Sequence, residues 1–115
     1  MEKYLLIVRE NLAKIGALSD EDRFAAGPDM MPWVNDLIEK GKYITGSPLT
    51  VSGSYVSQNG VKTEGDFLTN SEGISGFDII WAENMEDATA IAKDCPMVKC
   101  GHCVREVRKF IALPE

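Results

Sequence analysis

The chain has 115 residues, a formal net charge of −6 and a hydrophobic fraction of 44%. These values are typical of one globular domain, which we expect to span residues 1–115. The excess of acidic residues argues against a nucleic-acid-binding protein, which would need a basic face. The apolar run at residues 5–8 is too short for a membrane span or a signal-peptide core. We therefore expect no membrane partner and a cytoplasmic location.

The first third of the chain predicts a strand, a short helical turn and a long helix. Lys3–Arg9 contains the continuous apolar run, which is typical of a strand covered on both faces or central in a sheet. Ser19, followed by three acidic residues, predicts a capped helical turn that ends before Pro28. The long helix begins near Asp29 and ends at Gly41. Its apolar stripe has helical spacing and comprises Met30, Trp33, Val34, Leu37 and Ile38.

The rest of the chain predicts a hairpin, further strands and a second helix. The Asn59-Gly60 dipeptide joins Val51–Ser57 to Val61–Thr63 and favours a tight hairpin, because both of its residues tolerate positive φ. The second helix begins at Asn84 and ends before Pro96. The remaining predicted strands are Tyr43–Thr45, Phe77–Trp81 and Val104–Ile111. The last one does not alternate strictly, which indicates a bulge or a partly covered edge.

The predicted element order is β-α-β, hairpin, β-α-β. Two such halves in one sheet, with the helices on a single face, form the ferredoxin-like arrangement, an α+β fold. Two helices leave the other sheet face uncovered, and a second copy of the chain is the natural cover. We therefore predict a homodimer.

The glycine-punctuated segment of residues 63–77 is the candidate functional loop, because rigid scaffolds present their contact groups on loops of this kind. Glu64 and Asp66 lie two positions apart, so their carboxylates share a face in an extended segment and could act as an acid-base pair. Alternatively both are solvated, and Asp66 bonds to a turn backbone. The candidate ligand-binding residues are Arg9, Trp33, Glu64, Asp66 and Phe67, and Glu64 is also the weak candidate for catalysis.

The other candidates have two interpretations each. Trp33 and Phe67 could line a cleft, although aromatic residues at helix and strand spacing more often belong to the core. Arg9, at the end of the first strand, could hold a carboxylate ligand through its bidentate fork. The alternative is an exposed strand-end arginine.

Three cysteines and the single histidine lie close together as C-x4-C-x-H-C, a spacing that offers four potential zinc ligands. Cys95, however, belongs to the apolar stripe of the second helix, where a free cysteine behaves as a small hydrophobe. His102 and Cys103 are neighbours, which point to opposite faces in a strand. We therefore predict no metal and no other cofactor. Cys95, Cys100 and Cys103 are predicted to be reduced thiols.

Several segments resemble those of a known family. Thr63-Glu64-Gly65-Asp66-Phe67, followed after a loop by Gly76-Phe77, resembles the Thr-Asp-Gly-Pro-Phe…Gly-Gly-Phe signature of the YciI-related family, also called DGPF-domain proteins. The supporting segments are Lys3–Ile7, Glu39–Gly41, Ala90–Pro96 and Val104–Arg108. The resemblance covers nearly the whole chain and implies a dimeric α+β barrel, in which two ferredoxin-like protomers close their sheets against each other.

Two departures from the family pattern limit what the resemblance implies. The signature aspartate is Glu64 here, and its proline is Asp66. The namesake branch also carries a proposed catalytic histidine near the start of the first long helix, whereas residues 29–33 contain none. Catalytic roles built on that histidine therefore do not carry over.

Two functions are consistent with these observations. The first is binding of a small organic ligand in a cleft between the sheet, the first long helix and the 63–77 loop, with or without catalysis. The resemblance supports it, since a few relatives are degradative enzymes that act on small ring compounds. The second is a regulatory or protein-interaction module without catalysis, because some family members are encoded with or fused to alternative sigma factors.

Overall fold

The computed structural model describes residues 1–114. The strands are β1 (Glu2–Glu10), β2 (Tyr43–Pro48), β3 (Tyr55–Ser57), β4 (Gly60–Lys62), β5 (Gly73–Ala82) and β6 (Val104–Lys109). The helices are α1 (Leu12–Gly16), α2 (Asp20–Arg23), α3 (Gly27–Glu39), α4 (Asp66–Thr69), α5 (Met85–Lys93) and α6 (Pro96–Lys99). The predicted succession is confirmed, whereas the short helices α1, α4 and α6 were not predicted.

Four strands form one antiparallel sheet in the order β2-β5-β1-β6. The two central strands, β1 and β5, pair over nearly their whole length, with a register shift between Val8 and Arg9. This order and the two crossover helices give the chain a ferredoxin-like α+β fold, as predicted. The hairpin β3–β4 forms a separate two-stranded sheet, and its two-residue turn is Gln58-Asn59, because Ser57 pairs with Gly60. The hairpin was predicted, but its turn lies one residue earlier than Asn59-Gly60: Gly60 has a positive φ of 130°, and Asn59 does not have a positive φ.

The two longer helices, α3 and α5, pack on one face of the sheet. The buried core between them consists of Tyr4, Leu6, Trp33, Leu37, Ile80, Ala82, Ala88, Ala92 and Cys95. The Trp33 indole Nε1 donates a hydrogen bond to the Ile91 carbonyl at 3.0 Å and so connects the two helices. The Asn84 side chain caps α5 by accepting from the Asp87 amide at 2.8 Å, as its position in the sequence predicted.

The opposite face of the sheet carries apolar side chains that point away from these helices. The β1–β5 register places Leu5 opposite Ile79, and Ile7 opposite Phe77. We call this surface the open sheet face and define it by Leu5, Ile7, Phe77, Ile79 and Trp81, all of them half-buried. The chain measures 41 × 40 × 18 Å. The shortest extent, 18 Å, corresponds to the thickness of one sheet and one layer of helices.

The last strand differs from its prediction, because it ends at Lys109 instead of Ile111. Its irregular pattern has a physical cause: Arg105 occupies an inward position, where its side chain is only 4% exposed. The predicted 63–77 loop also contains more structure than expected, since α4 and the first residues of β5 lie within it. No helix within residues 1–114 is long and apolar enough to cross a membrane.

Candidate functional site

A cleft of about 470 Å³ lies where the end of β1, helices α1 and α4 and the start of β5 meet. This volume is within the range of small-ligand sites. Its apolar walls are formed by Leu12, Leu49, Phe67, Leu68 and Ile74. Its polar groups come from Arg9, Thr50, Ser54, Asn70 and Glu72. The cleft therefore combines apolar walls with several hydrogen-bonding groups.

Local contacts hold the walls of the cleft in place. The Asn70 carbonyl accepts from the Leu12 amide at 3.3 Å, which ties α1 to the end of α4. Gly73 lies so close to Leu12 that a Cβ at this position would collide with the leucine side chain. Phe67 packs on Tyr55 with ring centroids 5.4 Å apart, which connects α4 to the hairpin.

Arg9 is the positively charged group of the cleft. Its Nε and Nη2 atoms each lie 2.8 Å from Glu106 Oε1, and its Nη1 donates to the Glu72 carbonyl at 2.9 Å. Hydrogen bonds from Arg9 and Arg108 hold the pKa of Glu106 below its usual range. Because a guanidinium has five N–H groups, Nη1 and Nη2 each keep one hydrogen for another acceptor.

The structure brings two of the sequence-predicted residues together, since Arg9 and Phe67 both line the cleft. Glu64 and Asp66 are exposed and lie outside the lining; Asp66 is the first residue of α4. Trp33 is buried in the core instead, so the helices at this cleft are α1 and α4 and not the long helix α3.

A buried polar cluster, which sequence reasoning missed, lies on the helix side of the sheet. Arg105 Nη1 is 2.6 Å from Asp78 Oδ2, and the Tyr43 hydroxyl donates to Asp78 Oδ1 at 2.6 Å. The guanidinium also faces the Trp33 ring at 5.3 Å. Burial, and then the hydrogen bond to Asp78, raise the pKa of Tyr43. A Cβ at position 46 would collide with the Asp78 carboxylate and the Tyr43 hydroxyl, so the hydrogen bond between them requires glycine there.

The chain matches a known protein family over nearly its whole length. A family model described as YCII-related domain matches residues 3–111. The chain belongs to the YCII-related family. A search of the curated proteins gives no match.

Among solved structures, this YCII-related chain is similar to 5-chloro-2-hydroxyhydroquinone dehydrochlorinase from Burkholderia phenoliruptrix in complex with 2,5-dihydroxybenzoquinone. The TM-score is 0.58 at 15% identity, over 95% of this chain and 93% of that one. At this identity the similarity shows the shared fold.

The cysteines are free thiols; Cys95 and Cys103 are buried and Cys100 is exposed. Within residues 1–114, no three His, Cys, Asp or Glu side chains come together in a group that could hold a metal ion.

Proposed function

We propose that this YCII-related protein binds a small organic ligand in the cleft between Arg9 and Phe67. The observation that carries the proposal is the composition of the cleft, which Arg9 and several polar residues line together with apolar side chains. Small-molecule sites combine these two features, because apolar walls supply affinity and a few polar groups fix orientation.

The proposed ligand is a flat ring that bears oxygen atoms. The Phe67 ring offers an apolar face, and the remaining N–H groups of Arg9 can donate to hydroxyl, carbonyl or carboxylate oxygens. The dihydroxybenzoquinone bound to the related dehydrochlorinase is a molecule of this class and supports the choice. Glu64 lies outside the lining, so a catalytic role for it would require the bend of residues 63–65 to move toward the cleft.

We further propose that two copies of the chain assemble through the open sheet face. The five apolar side chains of the open sheet face form one contiguous surface, and a monomer rarely exposes such a surface to solvent. An obligate homodimer interface is commonly apolar in this way. The three free thiols are in keeping with a reducing compartment, and we propose the cytoplasm.

The second candidate function, a regulatory or protein-interaction module, is favoured by the hairpin. Val56 and Val61 are 73% and 63% exposed on a two-stranded ribbon outside the main sheet. Exposed apolar groups of this kind suit contact with another protein. The two functions differ in the surface that they use, which is the cleft for the ligand and the hairpin for a partner protein.

The test uses 2,5-dihydroxybenzoquinone as the probe, titrated into the protein while backbone amide resonances are followed by NMR. We expect shifts at Leu68, Asn70 and Gly73. Ser54→Phe fills the cleft and should weaken binding about tenfold, equivalent to about 1.4 kcal/mol. Val56→Phe, two residues away on the exposed hairpin, is the matched control and should bind normally.

Mass spectrometry of the natively purified protein adds an independent measurement, since a ligand from the cell that fits the cleft would co-purify with it. The proposal is wrong if no small molecule co-purifies and the probe shifts no cleft amide. Equal weakening by the two variants would also contradict the assignment of binding to this cleft.

A further inference from the structure

A groove of about 530 Å³ lies at the other end of β1 from the cleft, where β1 begins and where β5 and β6 end. We call it the Lys3 groove, and its lining includes Glu2, Lys3, Trp81, Lys109, Phe110 and Ile111. Its volume, like that of the cleft, is within the range of small-ligand sites. The two sites share no lining residue, so they are separate places on the molecule.

Strand pairing places Lys3 between two aromatic residues. Trp81 is its partner on β5. On the other side of Lys3, the Phe110 amide donates to the Lys3 carbonyl at 3.0 Å, which continues the pairing of β1 and β6 by one residue. The Lys3 ammonium lies 5.5 Å from the centroid of the Trp81 ring and 5.6 Å from the centroid of the Phe110 ring. Both are cation–π distances, so the two rings hold the ammonium at the groove.

The charges of the Lys3 groove favour an anion. Within residues 1–114, the Lys3 ammonium has these aromatic neighbours but pairs with no carboxylate. Glu2, the acidic residue of the lining, is engaged elsewhere, since its Oε2 is 2.8 Å from Lys109 Nζ and accepts from the Tyr4 hydroxyl at 3.3 Å. The groove therefore carries two ammonium groups and one carboxylate, although the chain has a formal net charge of −6. Lys3 already occupies the position over the rings that a cationic ligand would take.

We propose that the Lys3 groove binds an aliphatic carboxylate, whose head group pairs with Lys3 and whose hydrocarbon chain lies along Phe110 and Ile111. An ammonium without another anion forms a charge-assisted hydrogen bond with a carboxylate oxygen. Phe110 is 40% and Ile111 82% exposed, so a hydrocarbon chain placed on them removes apolar surface from water. A flexible chain suits this groove better than a flat ring, because Lys3 lies over the ring faces on which a flat ring would stack.

The two tryptophans of the chain give two indole N–H signals in an NMR spectrum, and one of them reports on this groove. Trp81 lines the groove, whereas Trp33 is buried in the core with its Nε1 bonded to the Ile91 carbonyl, so its signal is the internal reference. The probe is octanoate, and 1-octanol is its neutral counterpart with the same chain length. We expect octanoate to shift the Trp81 signal, to leave the Trp33 signal unchanged and to bind about tenfold more tightly than octanol.

Three variants test the role of the Lys3 charge. Lys3→Met keeps an apolar stem but removes the ammonium, so octanoate should lose about tenfold in affinity and bind as octanol does. Lys3→Arg keeps the positive charge and should retain the preference for octanoate. Lys62→Met, at an exposed lysine of the hairpin, is the matched control and should behave as the wild type does.

The proposal is overturned if octanol shifts the Trp81 signal as strongly as octanoate does, since the groove would then be an apolar surface only. Equal weakening by Lys3→Met and Lys62→Met, or a response of the cleft amides in place of Trp81, would also overturn it. If a second copy of the chain covers Trp81, which also belongs to the open sheet face, the wild type shows no response there, and that result contradicts the proposal as well. The dihydroxybenzoquinone titration of the cleft is judged separately, because it reads different amides.

Discussion

Because Asp78 and Arg105 form a buried ion pair, we expect the conservative substitution Asp78→Asn to lower the free energy of unfolding substantially. Asp78→Asn preserves the shape of the side chain but removes its charge, which leaves a guanidinium only 4% exposed without a carboxylate partner. Removing one partner of a buried ion pair costs about 3–5 kcal/mol, because the other charge stays desolvated. The amide oxygen can still accept from Tyr43, so we expect a loss of about 3 kcal/mol in the free energy of unfolding.

Urea unfolding at one fixed protein concentration measures this loss, since association would otherwise change apparent stability. Asp36→Asn is the matched control. The Asp36–Lys40 pair is also short, at 2.8 Å, but the two side chains are 56% and 58% exposed, so the expected loss is far smaller than for Asp78→Asn. In the double variant Asp78→Asn/Arg105→Met both charges are gone, and part of the stability should return. A loss below about 1 kcal/mol for Asp78→Asn would refute the view that Asp78 compensates the buried charge.

Three further predictions concern assembly, the cleft and the thiols. Ile7→Lys places a charge on the open sheet face and should convert the proposed dimer to a 12.7 kDa monomer in light scattering, whereas Val56→Lys on the hairpin should not. Phe67→Ala should abolish the NMR response to dihydroxybenzoquinone, because Phe67 lines the cleft. Glu64→Gln, outside the lining, should leave this response and the free energy of unfolding unchanged. A weaker response in Glu64→Gln would instead support a role for Glu64 in the site. Because the fold holds the pKa of Cys95 at about 5, its thiolate stabilises the folded state above the unfolded pKa of about 8.5, and this contribution is lost as the pH falls through about 5. The stability difference between wild type and Cys95→Ser, measured by chemical denaturation, should therefore shrink between pH 8 and pH 5, and a constant difference would contradict a lowered pKa of Cys95.

The parts of the fold that could be predicted are those whose signals are local. The α3 stripe, the cap at Asn84 and the β3–β4 hairpin depend on neighbours within a few residues, and each gives the element that the sequence indicated. The short helices were missed because they are too short to give a local periodic signal. Helix α4, for example, has only four residues, about one turn, so no apolar position can repeat along it. It also follows Gly65, whose φ of 135° is not helical, and has no side-chain cap.

The candidate site was harder to predict because its geometry depends on partners far along the chain. Trp33 is compatible with a cleft wall or with the core, and its contacts in the core come from distant residues such as Ile91, 58 positions away, and Arg105, 72 positions away. Arg105 in turn looks like an exposed strand residue until Asp78 is known to lie beside it. Leu12 and Gly73, which form one wall of the cleft, have no chemical signature in the sequence at all.

Consecutive residues of β6 show why the ligand is proposed at Arg9 and not at the more deeply held Arg105. Arg105 faces the helices, and its pair with Asp78 is 4% and 12% exposed, whereas Glu106 faces the other way and its pair with Arg9 is 30% and 31% exposed. Breaking the first pair leaves a desolvated charge, but breaking the second costs little, since water and Arg108 can replace the lost partner of Glu106. An incoming oxygen can therefore compete for Arg9 at little cost, while Arg105 is fixed by the fold. Two neighbouring residues of β6 thus take part in arginine–carboxylate pairs on opposite faces of the sheet, and the buried pair is structural whereas the exposed one is exchangeable.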